Sequence, residues 1–153
     1  MKKYFQIFAL ILTLAAIPAA AAGKTLVNVD KSGLALKGFD PVAYFTDNKP
    51  VKGTATFQST VHGVRYQFTS ADHKASFDAN PAKYEPRFGG FCAYAASQGH
   101  AAPISPDAFT IIDDRLVLNY DKDVRETFNK NQAGYLKDAE ANWPGIIEKE
   151  GHN

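Results

Sequence analysis

The pattern of apolar and polar residues predicts two β-hairpins. Four segments rich in apolar, aromatic and β-branched residues pair across short turns, and they cover 57–61, 64–69, 109–112 and 115–120. His62-Gly63 separates the first pair and Asp113-Asp114 the second, and both dipeptides tolerate the tight geometry of a two-residue hairpin turn. Each hairpin is followed by a residue that commonly caps a helix, Ser70 or Asp121. The sequence therefore predicts that each hairpin leads into a helix.

Helical signals follow both hairpins and also precede them. The predicted helices cover 71–79, 91–97, 122–130 and 132–142, with a further short helix that begins after Asp40. Asp40 is a good N-cap with Pro41 at the first helical position, and Gly99 can end the segment over 91–97. Trp143-Pro144 is expected to stop the last helix, and Trp143 to pack on the domain as an anchor. Together, the hairpins and helices define an α+β fold.

The hairpin-plus-helix pattern occurs twice, and residues of the first copy recur in the second at offsets of 51 or 52. The recurring pairs are Phe57/Phe109, Phe68/Tyr120, Phe77/Phe128, Asn80/Asn131, Ala82/Ala133, Tyr84/Tyr135 and Gly38-Phe39/Gly90-Phe91. An internal duplication explains these pairs, and chance agreement of aromatic positions is the alternative. One two-stranded hairpin and one helix bury too little surface to be stable alone. We therefore expect two similar units packed together, with their aromatic side chains meeting in one core.

The beginning of the chain has the layout of a signal peptide. Lys2 and Lys3 precede an apolar run over 5–17, and a small-residue tract with sites for cleavage after Ala20 or Ala22 follows. The apolar run is shorter than the roughly 20 residues of a membrane-spanning helix. We therefore predict a signal peptide over 1–22 and a single domain over 23–153 that is periplasmic, with no membrane insertion after cleavage.

The charge balance excludes one class of partner, and the cysteine content excludes one kind of cross-link. The chain has 17 basic and 16 acidic residues, and loss of Lys2 and Lys3 would leave it close to neutral, so nucleic acid is not a predicted partner. Cys92 is the single cysteine, which rules out an internal disulfide. In an oxidising compartment a lone thiol is expected to be buried, ligated or deliberately reactive.

Several motifs give the sequence a family resemblance. They are Gly38–Tyr44 (GFDPVAY), His62–Phe68 (HGVRYQF), Asn80–Tyr84 (NPAKY), Gly89–Tyr94 (GGFCAY) and Leu118–Tyr120 (LNY). Together they resemble the YHS domain family, specifically its small exported single-domain branch, over most of 23–153. The resemblance implies a short α+β module that binds metal through cysteines in metal-handling relatives, including those attached to copper or heavy-metal transporters. At the three cysteine positions of that pattern, this chain has Ala43, Thr69 and His73.

Two candidate sites follow from these residues. If the copies meet near a pseudo-twofold axis, a small ligand pocket is expected between Asp40, Tyr44, Cys92 and Tyr94; the alternative is that Asp40 only caps a helix and the tyrosines only fill the core. The candidate metal ligands are Cys92 and His73, which suit copper or zinc. His100 is a weaker candidate, because eight residues of helix separate it from Cys92 by about 12 Å.

The leading functional hypothesis is a non-catalytic periplasmic binding module for a soft metal ion or small molecule near Cys92. The sequence has no glycine-rich phosphate loop, paired-carboxylate arrangement or Ser/His/Asp motif that would indicate an enzyme. Two alternatives stay open at this point. One is a thiol-dependent enzyme that uses Cys92, and the other is an interaction domain for a membrane-protein or redox partner.

Overall fold

The structure is a computed structural model that describes residues 23–153, so the predicted signal peptide over 1–22 lies outside the described residues. It is an α+β fold. Its strands are β1 (Thr54–Val61), β2 (Val64–Phe68), β3 (Phe109–Ile112) and β4 (Arg115–Leu118). Its helices are α1 (Ala43–Thr46), α2 (Ala71–Ala79), α3 (Pro81–Tyr84), α4 (Ala93–Ser97), α5 (Lys122–Asn129) and α6 (Gln132–Glu150).

Both predicted hairpins are confirmed. Strand β1 pairs with β2, and β3 with β4, in two separate antiparallel two-stranded sheets. The turn residues have positive φ, with His62 at 50° and Asp113 at 50°, as tight primed hairpin turns require. The first hairpin is longer than predicted, because β1 begins at Thr54 and contains a bulge before Gln58.

The helices that follow the hairpins are also confirmed. The Ser70 side chain accepts a hydrogen bond from the His73 N–H, and the Asp121 carboxylate accepts one from the Val124 N–H at 2.8 Å. These caps begin α2 and α5 where the sequence places them, because each satisfies an N–H of the first helical turn. Helix α4 begins at Ala93, so Cys92 is its N-cap residue.

Three helix boundaries were predicted wrongly, and the first is the start of α4, which begins at Ala93 and not at residue 91. Pro144 does not stop α6, which continues to Glu150. Its ring lies on the exposed side of the helix while Trp143 and Ile146 pack inward, so tertiary contacts outweigh the lost backbone hydrogen bond. Pro41 does not start α1 either, because a turn over 41–42 comes first and the helix begins at Ala43.

The buried side chains form two adjoining clusters, and Tyr94 packs against both. Phe68 and Phe77 belong to the first cluster, which also contacts Phe109, whereas Phe128 belongs to the second. The predicted anchor is confirmed, because Trp143 packs against the Phe88 and Phe91 rings at centroid distances of 5.7 and 6.3 Å.

Tyr120 does not occupy the core position that was predicted for it. Its exposed fraction is 54%, whereas Phe68, its proposed counterpart, is fully buried. Both the hairpin turns and the helix caps are 51 residues apart, so the residue equivalent to Phe68 is Asn119, which is fully buried. A one-residue slip in a strand moves a side chain to the other face, which explains the error.

The two units share one unusual backbone feature. Leu36, Lys37 and Gly38 have positive φ angles of 53°, 52° and 78°, and the residues 52 positions later have angles of 52°, 56° and 79°. This left-handed conformation is uncommon outside glycine. Its recurrence at one offset is what a duplication would leave, although the duplication itself stays a prediction.

The two ends of the described chain lie together. Thr25 and His152 form an antiparallel bridge, in which each N–H donates to the other's carbonyl at 2.9 Å. Within residues 23–153, no helix has the length and apolar character needed to cross a membrane.

Candidate functional site

A buried carboxylate organises the corner where α1, β2 and α2 meet. Asp40 is fully buried, and its Oδ1 accepts hydrogen bonds from the N–H groups of Val42 at 2.8 Å and Ala43 at 3.3 Å. Asp40 was predicted to cap a helix that starts at Pro41, but it caps the turn over 41–42 that leads into α1, and the N-cap residue of α1 is Val42.

The second oxygen of the Asp40 carboxylate joins this turn to the end of the first hairpin. Oδ2 accepts hydrogen bonds from the Thr69 N–H at 2.8 Å and the Thr69 hydroxyl at 2.9 Å. The same oxygen lies 2.7 Å from Nδ1 of His73, in the first turn of α2. The two oxygens of Asp40 therefore make five polar contacts. Together these contacts hold the carboxylate in one orientation.

The Asp40 carboxylate sets the orientation of the His73 ring. Because an ionised carboxylate only accepts hydrogen bonds, Nδ1 donates its hydrogen to Asp40, and in the neutral form of the ring Nε2 then carries the lone pair. Nε2 lies 3.4 Å from the Thr46 hydroxyl, and the side chain of His73 is 19% exposed. Metal-binding histidines commonly have this arrangement, in which a carboxylate fixes one ring nitrogen and leaves the other free.

Cys92 has a different environment, although it stands 52 residues after Asp40. It is 1% exposed and caps α4, where its Sγ accepts the Ala95 N–H at 3.4 Å. Its Sγ also lies 3.7 Å from Oδ1 of Asn119. Burial raises the pKa of the Cys92 thiol, and hydrogen bonds from backbone N–H groups of Ala95, Tyr120 and Tyr94 only partly oppose that shift. The thiol is therefore neutral at physiological pH.

The remaining candidate residues lie in the core or on the surface. Tyr44 is 1% exposed, its hydroxyl donates to the Pro106 carbonyl at 3.3 Å, and burial raises its pKa. Tyr94 packs edge-on against Tyr135 at a centroid distance of 5.1 Å. His100 is exposed at the end of α4.

The structure thus brings together some of the predicted residues and separates others. Asp40 and His73 are in direct contact, whereas the polar contacts of Cys92 are all within the second unit. Among residues 23–153, no group of three or more His, Cys, Asp or Glu side chains is arranged to hold a metal ion. Any metal bound here would therefore have few protein ligands.

Three polar residues at these sites were not predicted. Thr69 and Thr46 contact His73, and Asn119 accepts the Tyr94 N–H at 3.1 Å while its own Nδ2 has no partner within the described part of the chain. Thr69 had a signal in the sequence, because it stands at a cysteine position of the family pattern. Asn119 was noted only as part of the Leu118–Tyr120 motif, and Thr46 had no signal, since only the folded chain brings these two residues to their positions.

We expect native Cys92 to resist alkylation. With the thiol buried and neutral, its reaction with iodoacetamide at pH 8 should be roughly 100-fold slower than in the unfolded chain. A variant that combines Cys92→Ser with Ser32→Cys, which places the only thiol on the surface, provides the matched control. Equal rates for native and unfolded Cys92 would contradict a buried thiol.

Comparison with protein-family models found no matching family, and comparisons with curated proteins and solved structures found no match either. The resemblance to the YHS domain family therefore stays a prediction from the motifs.

Proposed function

We propose that this chain is a non-catalytic periplasmic binding module that holds a copper or zinc ion at Nε2 of His73. One observation carries the proposal: the buried Asp40 carboxylate holds Nδ1 of His73 at 2.7 Å and so fixes the direction in which Nε2 could bind a metal ion. Imidazole nitrogen is a common ligand for both metals. A carboxylate partner raises the basicity of a ligating histidine and holds its ring in place.

Neighbouring oxygen atoms extend the proposed site towards solvent. The Thr46 hydroxyl lies 3.4 Å from Nε2 of His73 and donates to Oδ1 of Asp47 at 2.9 Å. Thr46 and Asp47 are exposed at the end of α1, where their side chains have room to adjust. An imidazole with carboxylate and hydroxyl oxygens suits Cu(II) or Zn(II) better than Cu(I), which prefers sulfur ligands.

The small number of protein ligands favours an exchangeable metal ion over a structural one. Structural zinc sites use four protein ligands and are closed, whereas this corner offers one imidazole and two nearby oxygens. Positions around the ion would be left for water or for a donor group from a membrane-protein or soluble partner. We therefore propose that the module receives and passes on its metal ion rather than using it to stabilise the fold.

The proposed site also fits the family resemblance. The metal-binding cysteines of that pattern correspond to Ala43, Thr69 and His73, and all three residues contact Asp40 through a backbone or side-chain group. In this chain the same corner would bind metal with imidazole and oxygen instead of thiolate. The buried, neutral thiol of Cys92 favours neither a metal ligand at position 92 nor a thiol-dependent enzyme.

Metal titration tests the proposal. The chain over 23–153 is expected to bind one equivalent of Cu(II) or Zn(II) in competition with a chelator of known affinity. His73→Ala should weaken binding by at least about 10-fold, because it removes the oriented nitrogen. Cys92→Ser and His100→Ala should bind as the parent does, and His100→Ala is the matched control for loss of an exposed histidine.

A spectroscopic measurement locates the ion independently. Binding of Zn(II) should shift the ring proton signals of His73 in the NMR spectrum more than those of His62 or His100. Unchanged affinity in His73→Ala would overturn the proposed site. A loss of binding in Cys92→Ser alone, with the fold retained by circular dichroism, would instead restore the thiol as the ligand.

A further inference from the structure

A groove of about 510 Å³ runs along the outer edge of β3. It is lined by residues from the end of α1, from β3 and from α5, which are Asn48, Phe109, Thr110, Ile111, Arg125 and Asn129. His73, in α2, does not line the groove, and the metal site proposed above does not use it.

The floor of this groove is an open strand edge. In the described part of the chain β3 pairs only with β4, through a hairpin closed by Ile112 and Arg115. Antiparallel pairs alternate between hydrogen-bonded and non-hydrogen-bonded, so the backbone N–H and C=O groups of Phe109 and Ile111 point away from β4. On the far side of β4, Leu118 forms a bridge with Cys92. The outward backbone groups of Phe109 and Ile111 lie at the strand edge that lines the groove.

The groove also contains a positive charge without a counter-ion. Arg125 forms no ion pair among residues 23–153; its Nη1 donates to the Asp107 carbonyl at 3.3 Å, and its shielded Nε has no partner. The other polar side chains that line the groove are two amides and a hydroxyl, Asn48, Asn129 and Thr110. None of these can neutralise a guanidinium group.

The first unit provides an internal comparison. At positions 51 residues earlier, Lys74 forms an ion pair with Asp78 at 2.5 Å, and Ser59 donates to the same carboxylate. In the second unit the acid is replaced by Asn129, which accepts a hydrogen bond from Thr110 at 3.4 Å. The contact between the strand hydroxyl and the helix is retained, while the carboxylate that would neutralise Arg125 is missing.

We propose that the β3 groove binds an extended acidic segment of another protein, which adds a strand to β3 and places a carboxylate on Arg125. Strand addition supplies backbone hydrogen bonds to the open groups of Phe109 and Ile111. The guanidinium supplies specificity, because its planar donors match a carboxylate in a bidentate contact. The amides of Asn48 and Asn129 line the groove and can bond to the polar groups of an added strand.

Fluorescence anisotropy with a labelled synthetic peptide tests this proposal. The probe is a short peptide that alternates valine and threonine around one central glutamate, and its counterpart has glutamine at the centre. The parent chain should bind the glutamate peptide at least about 10-fold more tightly than the glutamine peptide, as expected for a charge-assisted hydrogen bond. Arg125→Gln should remove this preference.

Two further variants make the test specific to the groove. Asn129→Asp places a carboxylate where the first unit has Asp78, and it should weaken binding of the glutamate peptide by neutralising Arg125. Ile111→Pro removes an N–H that faces the groove, at an edge position where proline is tolerated, and it should weaken both peptides. Lys74→Gln is the matched control on the first unit and should change nothing.

The outcomes separate this proposal from simpler ones. Equal binding by the parent chain and Arg125→Gln, or no binding by the parent chain, would overturn it. Competition by glutarate as strong as that of the peptide would show a site for small anions and overturn the strand-addition step. Each variant is first checked for folding by circular dichroism. His73→Ala should bind the peptide as the parent chain does, so failure of the metal proposal would leave this result unchanged.

Discussion

Replacing Asp40 with alanine is expected to lower the free energy of unfolding by about 3–5 kcal/mol, because several donors lose their acceptor and each buried one costs about 1–3 kcal/mol. The substitution removes the acceptor for the N–H groups of Val42, Ala43 and Thr69 and for Nδ1 of His73. The N–H groups of Val42 and Ala43 are buried and would be left without a partner, whereas Thr69 and His73 are only partly shielded from water. Urea denaturation monitored by circular dichroism measures the change.

Asp121→Ala is the matched control for the Asp40 variant. Asp121 caps helix α5 after the second hairpin, but its side chain is only partly buried and accepts one hydrogen bond, from the Val124 N–H. Its loss should therefore cost only about 1 kcal/mol. If the two variants were equally stable, Asp40 would be an ordinary helix cap, and its contacts with Thr69 and His73 would contribute little.

Phe77→Ala and Phe128→Ala are each expected to cost about 3–5 kcal/mol, as is typical for truncation of a buried phenylalanine. Both side chains are fully buried, and they occupy corresponding places in α2 and α5. Each loss is a large fraction of the 5–15 kcal/mol that stabilises a typical domain. Thermal and urea unfolding of the single variants measure it.

The milder variants Phe77→Leu and Phe128→Leu test how the two clusters are connected. The residues lie in separate clusters, so the two effects should add to within about 0.5 kcal/mol in the double variant. A single cooperative unfolding transition is expected in all cases, since Tyr94 packs against both clusters. Strong coupling between the two substitutions would show that the clusters behave as one core.

The elements that the sequence predicted correctly have strong local signals. The hairpin turns at 62–63 and 113–114 and the caps at Ser70 and Asp121 each define a boundary through their own chemistry, with no need for distant contacts. The errors arose where packing decides. Pro144 stays within α6 because Trp143 and Ile146 are held by the core, and the position of Tyr120 depends on strand register, which aromatic spacing alone does not fix.

The candidate site was predictable only as separate residues. Asp40 and His73 were both candidates, but their contact joins positions 33 apart in sequence, and no local pattern indicates it. The sequence paired His73 with Cys92 because thiolate and imidazole often share a metal. The burial of Cys92 results from its bridge with Leu118 and from its place in the first cluster, both of which depend on the whole fold.

The bridge between Thr25 and His152 has a consequence for engineering. Because the chain enters and leaves the domain at one point, a short linker between these ends would make a circular permutant feasible. The exposed turn at His62-Gly63 offers a place for the new ends, since a Cβ built on Gly63 would meet no atom within 4 Å. For the same reason, the domain could be inserted into a surface loop of a host protein, because Thr25 and His152 lie as close together as the two ends of such a loop.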